Sequence, residues 1–230
     1  MADYKAIKGH TIQTVAGDPG TIVDGLIWYD SVARKVQGSK TGAGSWSTGG
    51  DINQGRYSGG SATEAPGTAG LIFGGDSPSY NNTEKYNGTS WTEVGNLNTG
   101  RGNLAGAGTQ TAGLCAGGEV SPGGQSEEFD GTNWAEGDDL NTARAGLTGN
   151  GTQTTALNTG GKIGESFQVI NELYNGSAWS ESGDLNTARA YHATAGTSAA
   201  GLAAGGASPY TVDSEEFNGT SWAEGSNLNA

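Results

Sequence analysis

The chain has 230 residues, of which 43 are glycine and 8% aromatic, with one cysteine and a formal net charge of −13. An acidic surface of that size repels nucleic-acid phosphates and anionic lipid headgroups, so neither is expected as a partner. A single cysteine, Cys115, excludes an intrachain disulfide and a thiolate metal cluster, and the absence of a signal-length or membrane-length apolar run predicts neither export by a signal peptide nor membrane insertion.

Residues 1–55 are nearly neutral and differ from the rest of the chain. Residues 25–30 and 35–40 read as two strands around a short turn, with residues 45–47 as a third, and residues 6–8 or 11–15 are candidates for a missing first strand. This makes a divergent N-terminal unit and the better docking segment, since most of the acidic charge lies beyond it.

From Arg56 onward the pattern is regular, with units beginning near Arg56, Arg101, Arg144 and Arg189. Each opens on small residues, as in 102–108 and 190–196, which suit an innermost strand where sheets converge. A second short strand follows at 71–73, 114–116, 157–159 and 202–204, ending in the glycine pairs 74–75, 117–118, 160–161 and 205–206. Missing Cβ atoms there permit positive φ or close backbone approach. The four segments after these pairs, 76–83, 119–126, 162–171 and 207–214, differ in kind; loops that vary on a constant scaffold are where binding is usually placed. Tyr80, Phe167 and Tyr210 are the trial residues, and the third loop, with Phe167, Val169 and Ile170, is the most apolar.

Each unit closes on a hairpin phrase: Tyr86-Asn87-Gly88-Thr89-Ser90-Trp91, with counterparts at 129–134, 174–179 and 217–222. Asn-Gly or Asp-Gly between extended runs signals a two-residue type I′ turn, which would pair Tyr86 with Thr89 and Glu84 with Trp91. Tryptophans at 46, 91, 134, 179 and 222 recur every 43 or 45 residues, a period that means stacked like units. No window shows helical periodicity. The expected fold is all-β: one β-propeller over 1–230 of four-stranded antiparallel blades, five in number, with the divergent segment as the fifth.

Arg189-Ala190-Tyr191-His192, then Gly205-Gly206, then Phe217 and Trp222, resembles the kelch repeat, and that resemblance implies propeller blades. The departures are a shorter aromatic-to-tryptophan spacing, a less hydrophobic second strand and a histidine kept only in the last copy. The opening segment, residues 24–30 and 35–38, is similar to the leading portion of bacteriophage virion and tail-fibre proteins. That resemblance implies a non-enzymatic structural or adhesion component of a phage particle, located in the virion. Its partners would be other virion proteins, further copies of itself or a host-surface glycan. Two alternatives belong to other classes: a free lectin-like module using Tyr80 and Tyr210 as aromatic platforms, and an intracellular kelch-type scaffold binding peptides.

Glu84, Glu127, Glu172 and Glu215 recur two residues before the hairpin aromatic, on the face of Trp91, Trp134, Trp179 and Trp222. Buried carboxylates need partners, and the repeated Arg56, Arg101, Arg144 and Arg189 are the cations of matching frequency, so Glu–Arg pairing is expected. Groups present in every unit are architectural, and no catalytic residue is assigned. His10 and His192 fall in different units without metal-ligand spacing, including that of the copper oxidases with kelch-like propellers, and Asp138 and Asp139 lack a calcium-loop ladder. No cofactor or metal is expected.

Overall fold

The computed structural model describes residues 13–15, 27–32, 34–38, 49–76, 81–119, 123–207 and 211–228, and every regular element among them is a β-strand. The chain divides into two compact units, 1–48 and 49–230. In the first, Gln13–Val15 pairs parallel with Ile27–Asp30, which pairs antiparallel with Lys35–Gly38. Among the described residues this is a mixed sheet of three strands, and its parallel pair departs from the antiparallel unit expected there. The expected strands at 6–8 and 45–47, Trp46 included, lie outside the described residues.

The second unit holds four four-stranded antiparallel sheets, each built in chain order from one repeat. The first comprises Gly60–Ser61, Leu71–Phe73, Thr83–Tyr86 and Trp91–Glu93. The second comprises Ala105–Thr109, Ala112–Ala116, Ser126–Phe129 and Trp134–Glu136; the third, Thr148–Gly151, Ala156–Thr159, Asn171–Tyr174 and Trp179–Glu181; the fourth, Ala193–Thr197, Ala200–Ala204, Ser214–Phe217 and Trp222–Glu224. The unit starts before Arg56 because residues 53–56 bond to the first sheet through Glu84.

Small residues explain how the first strands of successive sheets come together, first against second, second against third and third against fourth. A Cβ on Gly106 would stand 2.3 Å from the Ser61 carbonyl oxygen of the preceding sheet, and one on Gly149 would stand 2.9 Å from that of Gly106. Side chains larger than these would push the strands apart. The glycine pairs take positive φ, 61° to 68° at the first glycine and 106° to 125° at the second.

The core lies between sheets. Leu71, Phe73 and Leu97 of the first repeat pack with Phe129 and Trp134 of the second, the Phe73 and Trp134 rings meeting edge to face at 4.8 Å. The hairpin differs from its expected register. Tyr86 faces Trp91, and Glu84 faces Glu93, across a four-residue loop. The cause is Asn87, whose Oδ1 accepts the backbone N–H groups of Thr89 and Ser90, both at 2.9 Å, leaving Gly88 alone at positive φ. This Asx turn replaces the type I′ turn. Asp130, Asn175 and Asn218 repeat it, and in each hairpin the aromatic and the tryptophan become direct cross-strand neighbours, 4.8 to 5.1 Å apart.

Candidate functional site

Each repeat contains one charged cluster, and it is the same cluster four times. The glutamate sits on the third strand, and the chain entering the sheet folds over it. In the fourth repeat Glu215 accepts bonds from Asn186 N at 2.7 Å, Asn186 Nδ2 at 2.9 Å, Thr187 N at 3.1 Å and the Arg189 guanidinium at 2.7 Å. Arg56 reaches Glu84 at 2.5 Å, Arg101 reaches Glu127 at 3.0 Å, and Arg144 pairs with Glu172. All four carboxylates are at most 1% exposed. Arg56, Arg144 and Arg189 also donate to backbone carbonyls, whereas Arg101 donates to Cys115 Sγ at 3.3 Å; Arg189 Nη1 donates to the Gly205 and Asp213 carbonyls, both at 3.0 Å, tying the glycine pair to the loop behind it.

The asparagines were not singled out from the sequence, yet they complete every cluster. Asn53, Asn98, Asn141 and Asn186 each donate backbone and side-chain N–H to the glutamate, and the same amide also donates to the tryptophan carbonyl. Their signal was the Asn-Thr pair preceding Arg101, Arg144 and Arg189. Burial raises the Glu84 carboxyl pKa, but the Asn53 backbone N–H, the Arg56 guanidinium and the Asn53 amide outweigh it and hold the group below its ordinary value. A carboxylate so saturated with donors has no lone pair aimed at a substrate, and its proton affinity is turned away from acid catalysis.

The other expected residues separate. Tyr80 and Tyr210 lie outside the described residues. Phe167 is half-buried in a small hairpin, Lys162–Ile163 with Ser166–Phe167, set within the third repeat. Val169 packs against the Leu157, Phe217 and Trp222 cluster instead of joining a surface patch. Lys162 bonds Glu119 at 3.2 Å and lies 5.8 Å from the centroid of the Tyr191 ring; bonds to Tyr191 and Glu119 raise its pKa. His192 is buried, its Nε2 2.8 Å from Thr148 Oγ1, and burial with the nearby Arg189 charge lowers its pKa to about 3. It is a neutral packing residue. Cys115 lies under Arg101, and burial pushes its thiol up to about 11. Among the described residues no three His, Cys, Asp or Glu side chains are grouped to hold a metal ion.

Beside the first strands, four residues at one repeat position adopt left-handed backbone: Ser58, Asn103, Gly146 and Tyr191, with φ from 53° to 64°. They line a shallow 240 Å³ cleft together with Thr148 and His192. Their backbones form a relay in which Asn103, Gly146 and Tyr191 N–H donate to the Ser58, Asn103 and Gly146 carbonyls at 2.7 to 2.8 Å. The strain of a left-handed Tyr191 is therefore held by sheet-to-sheet bonding.

No protein-family model and no curated protein matches this sequence. A solved structure of YjhT is similar, with a TM-score of 0.64 at 14% identity, covering 80% of this chain and 69% of that one. At that identity the likeness is one of fold, an all-β arrangement shared over most of both chains.

Proposed function

We propose that the chain is a non-enzymatic scaffold whose four antiparallel sheets are consecutive blades of a β-propeller. We further propose that it serves a bacteriophage particle as a structural or adhesion component, associated with tail, fibre or capsid. The observation that carries the non-enzymatic reading is the fourfold saturation of Glu84, Glu127, Glu172 and Glu215 by asparagine, backbone and arginine donors. Charged groups used identically in every repeat hold sheets together, and what remains to distinguish the repeats is surface. The tryptophan period alone would count residues 1–55 as a fifth blade, but their described sheet contains a parallel pair, so only the four antiparallel sheets are proposed as blades. The particle assignment rests on the resemblance of residues 24–30 and 35–38 to the leading portion of virion and tail-fibre proteins and on the fit of a repeated architecture to symmetric assemblies. Other virion proteins, copies of the chain and a host-surface glycan are the partners it implies.

Immunogold labelling of phage particles from the source of this chain tests the assignment directly. Regularly spaced label on the particle is expected; label confined to soluble material would refute it. Binding to a glycan array would distinguish adhesion from a purely structural role.

A further inference from the structure

The three internal junctions between sheets obey one rule, which breaks at both ends of the unit. At each junction the hairpin aromatics of one sheet cover two leucines of the sheet before it. Leu71 and Leu97 lie against Phe129 and Trp134, Leu114 and Leu140 against Tyr174 and Trp179, and Leu157 and Leu185 against Phe217 and Trp222. Those six leucines are at most 5% exposed, whereas their equivalents on the fourth sheet, Leu202 and Leu228, are 37% and 49% exposed. At the opposite end Tyr86 and Trp91 of the first sheet are only half-buried.

Backbone bonding is open at the same two places. Gly75, Gly118 and Gly161 N–H donate across the junctions to the Arg101, Arg144 and Arg189 carbonyls at 2.9 to 3.0 Å, beside the relay through Ser58, Asn103, Gly146 and Tyr191. Among the described residues, the Tyr191 carbonyl and Gly206 N–H of the fourth sheet have no such partner, nor do Ser58 N–H and the Arg56 carbonyl of the first.

Side chains at the junctions identify what belongs there. The second sheet carries Ser126-Glu127-Glu128-Phe129, and it receives a tyrosine-type hairpin: Tyr174 Oη donates to Glu128 at 2.5 Å and Trp179 Nε1 to Ser126 Oγ at 3.5 Å. The fourth sheet repeats the same phrase as Ser214-Glu215-Glu216-Phe217, with Glu216 exposed. In residues 49–230 the one other tyrosine-type hairpin is Tyr86 to Trp91, on the first sheet. Tyrosine and phenylalanine types thus alternate along the array, as do the tryptophan spacings of 45 and 43.

We propose that the fourth sheet of one chain packs against the first sheet of a second copy of this chain. Tyr86 and Trp91 of the second copy cover Leu202 and Leu228, its Tyr86 hydroxyl donates to Glu216, and its Trp91 indole N–H reaches Ser214. Its Ser58 N–H and Arg56 carbonyl take up the Tyr191 carbonyl and Gly206 N–H. Residues 1–48 fit less well, because their described sheet has three strands with one parallel pair. A single unit inserted between fourth and first sheets would also break the alternation. The contact is heterologous, one end against the other, so it propagates or closes a ring. It stands on the junctions and not on the phage assignment: a chain foreign to any particle would pair in this way, and a monomeric chain could still be a particle component.

Sedimentation velocity of the full chain at micromolar concentration is the test. The expected species contains two or more chains. Leu202→Glu alters a side chain already exposed, so folding, followed by circular dichroism, is expected to persist while association weakens about thirtyfold or more, the scale of losing an interface anchor. Trp91→Ala at the other end does the same, and combining the two adds little once the contact is gone. A monomeric wild-type chain would overturn the proposal and give the open face to residues 1–48 or another protein. Assembly untouched by Leu202→Glu, or broken by Leu202→Glu but untouched by Trp91→Ala, would overturn it as well.

Discussion

Replacing Glu215 by glutamine changes one atom and tests the charged cluster that every sheet depends on. One carboxylate oxygen accepts Asn186 N and Nδ2; the other accepts Thr187 N and Arg189. A glutamine has one acceptor oxygen, so either orientation leaves two buried N–H donors facing an NH2 group. The Arg189 guanidinium, 0% exposed, also loses its counter-charge. Two unsatisfied donors cost about 1–3 kcal/mol each, and removing one partner of a buried pair costs about 3–5 kcal/mol. These overlap, so about 3–5 kcal/mol is expected for Glu215→Gln as a whole. For a unit of this size roughly 2–4 °C accompanies each kcal/mol, which places the fall in Tm at about 6–20 °C. Thermal unfolding followed by tryptophan fluorescence measures it. Adding Arg189→Met should recover part of the loss, because the orphaned charge leaves with it. A fall in Tm below about 2 °C for Glu215→Gln would mean that water or another group already satisfies these donors, and the architectural account of the cluster would not survive.

Three further outcomes belong to individual residues. His192 titrates near its ordinary value in the unfolded chain but at about 3 when folded, so the unfolded state binds more protons between those values and stability falls as pH drops from 7 toward 5. Urea midpoints at the two pH values should differ less in His192→Asn than in the wild type, and an unchanged difference would count against a buried neutral imidazole. Gly160→Ala places a Cβ 2.4 Å from the Arg189 carbonyl oxygen at φ 61°, whereas Gly164→Ala meets nothing within 4 Å at φ 58°. The first should lose more urea stability than the second, which carries only the left-handed strain of about 1–2 kcal/mol. Cys115, buried with its thiol raised to about 11, should resist a thiol-specific chromogenic reagent until urea unfolds the chain; fast labelling in native buffer would contradict its burial.

The repeat itself was plain in the sequence, and so was the burial of its charges. Four glutamates and four arginines at one period leave little choice, since a carboxylate beside a core tryptophan needs a cation and one type recurs at the right frequency. Hairpin register was not legible, because the dipeptide Asn87-Gly88 suits two turns and the choice belongs to the Asn87 side chain, which captures two N–H groups. The part played by Asn98 and its equivalents was hidden for a related reason. They are distant in sequence from the glutamates they cap, 29 residues for Asn98 and Glu127, and an exposed-looking Asn-Thr pair reads as an ordinary loop. Left-handed backbone at this repeat position gave no warning either, since Gly146 and Asn103 tolerate it but Ser58 and Tyr191 do not favour it. Packing between sheets imposes that conformation, and packing between sheets is what a period predicts without describing.

The strength of an open junction decides what kind of assembly it supports. Covering the exposed parts of Leu202 and Leu228 contributes about 1–3 kcal/mol together at the usual rate for apolar burial, and Tyr86 with Trp91 adds a comparable amount because they are already half-covered. Association costs at least about 4 kcal/mol of lost translational and rotational freedom. One junction is therefore marginal, and the backbone bonds at Tyr191 and Gly206 matter more for register than for affinity. When two junctions form within one closed assembly, the second is intramolecular and escapes most of that cost. Closed species should consequently dominate over chains with free ends, and association should be steep in concentration, with few partial assemblies between monomer and the closed form. A broad ladder of sizes in sedimentation would instead mark an open polymer, in which each added chain gains one junction and no ring ever closes.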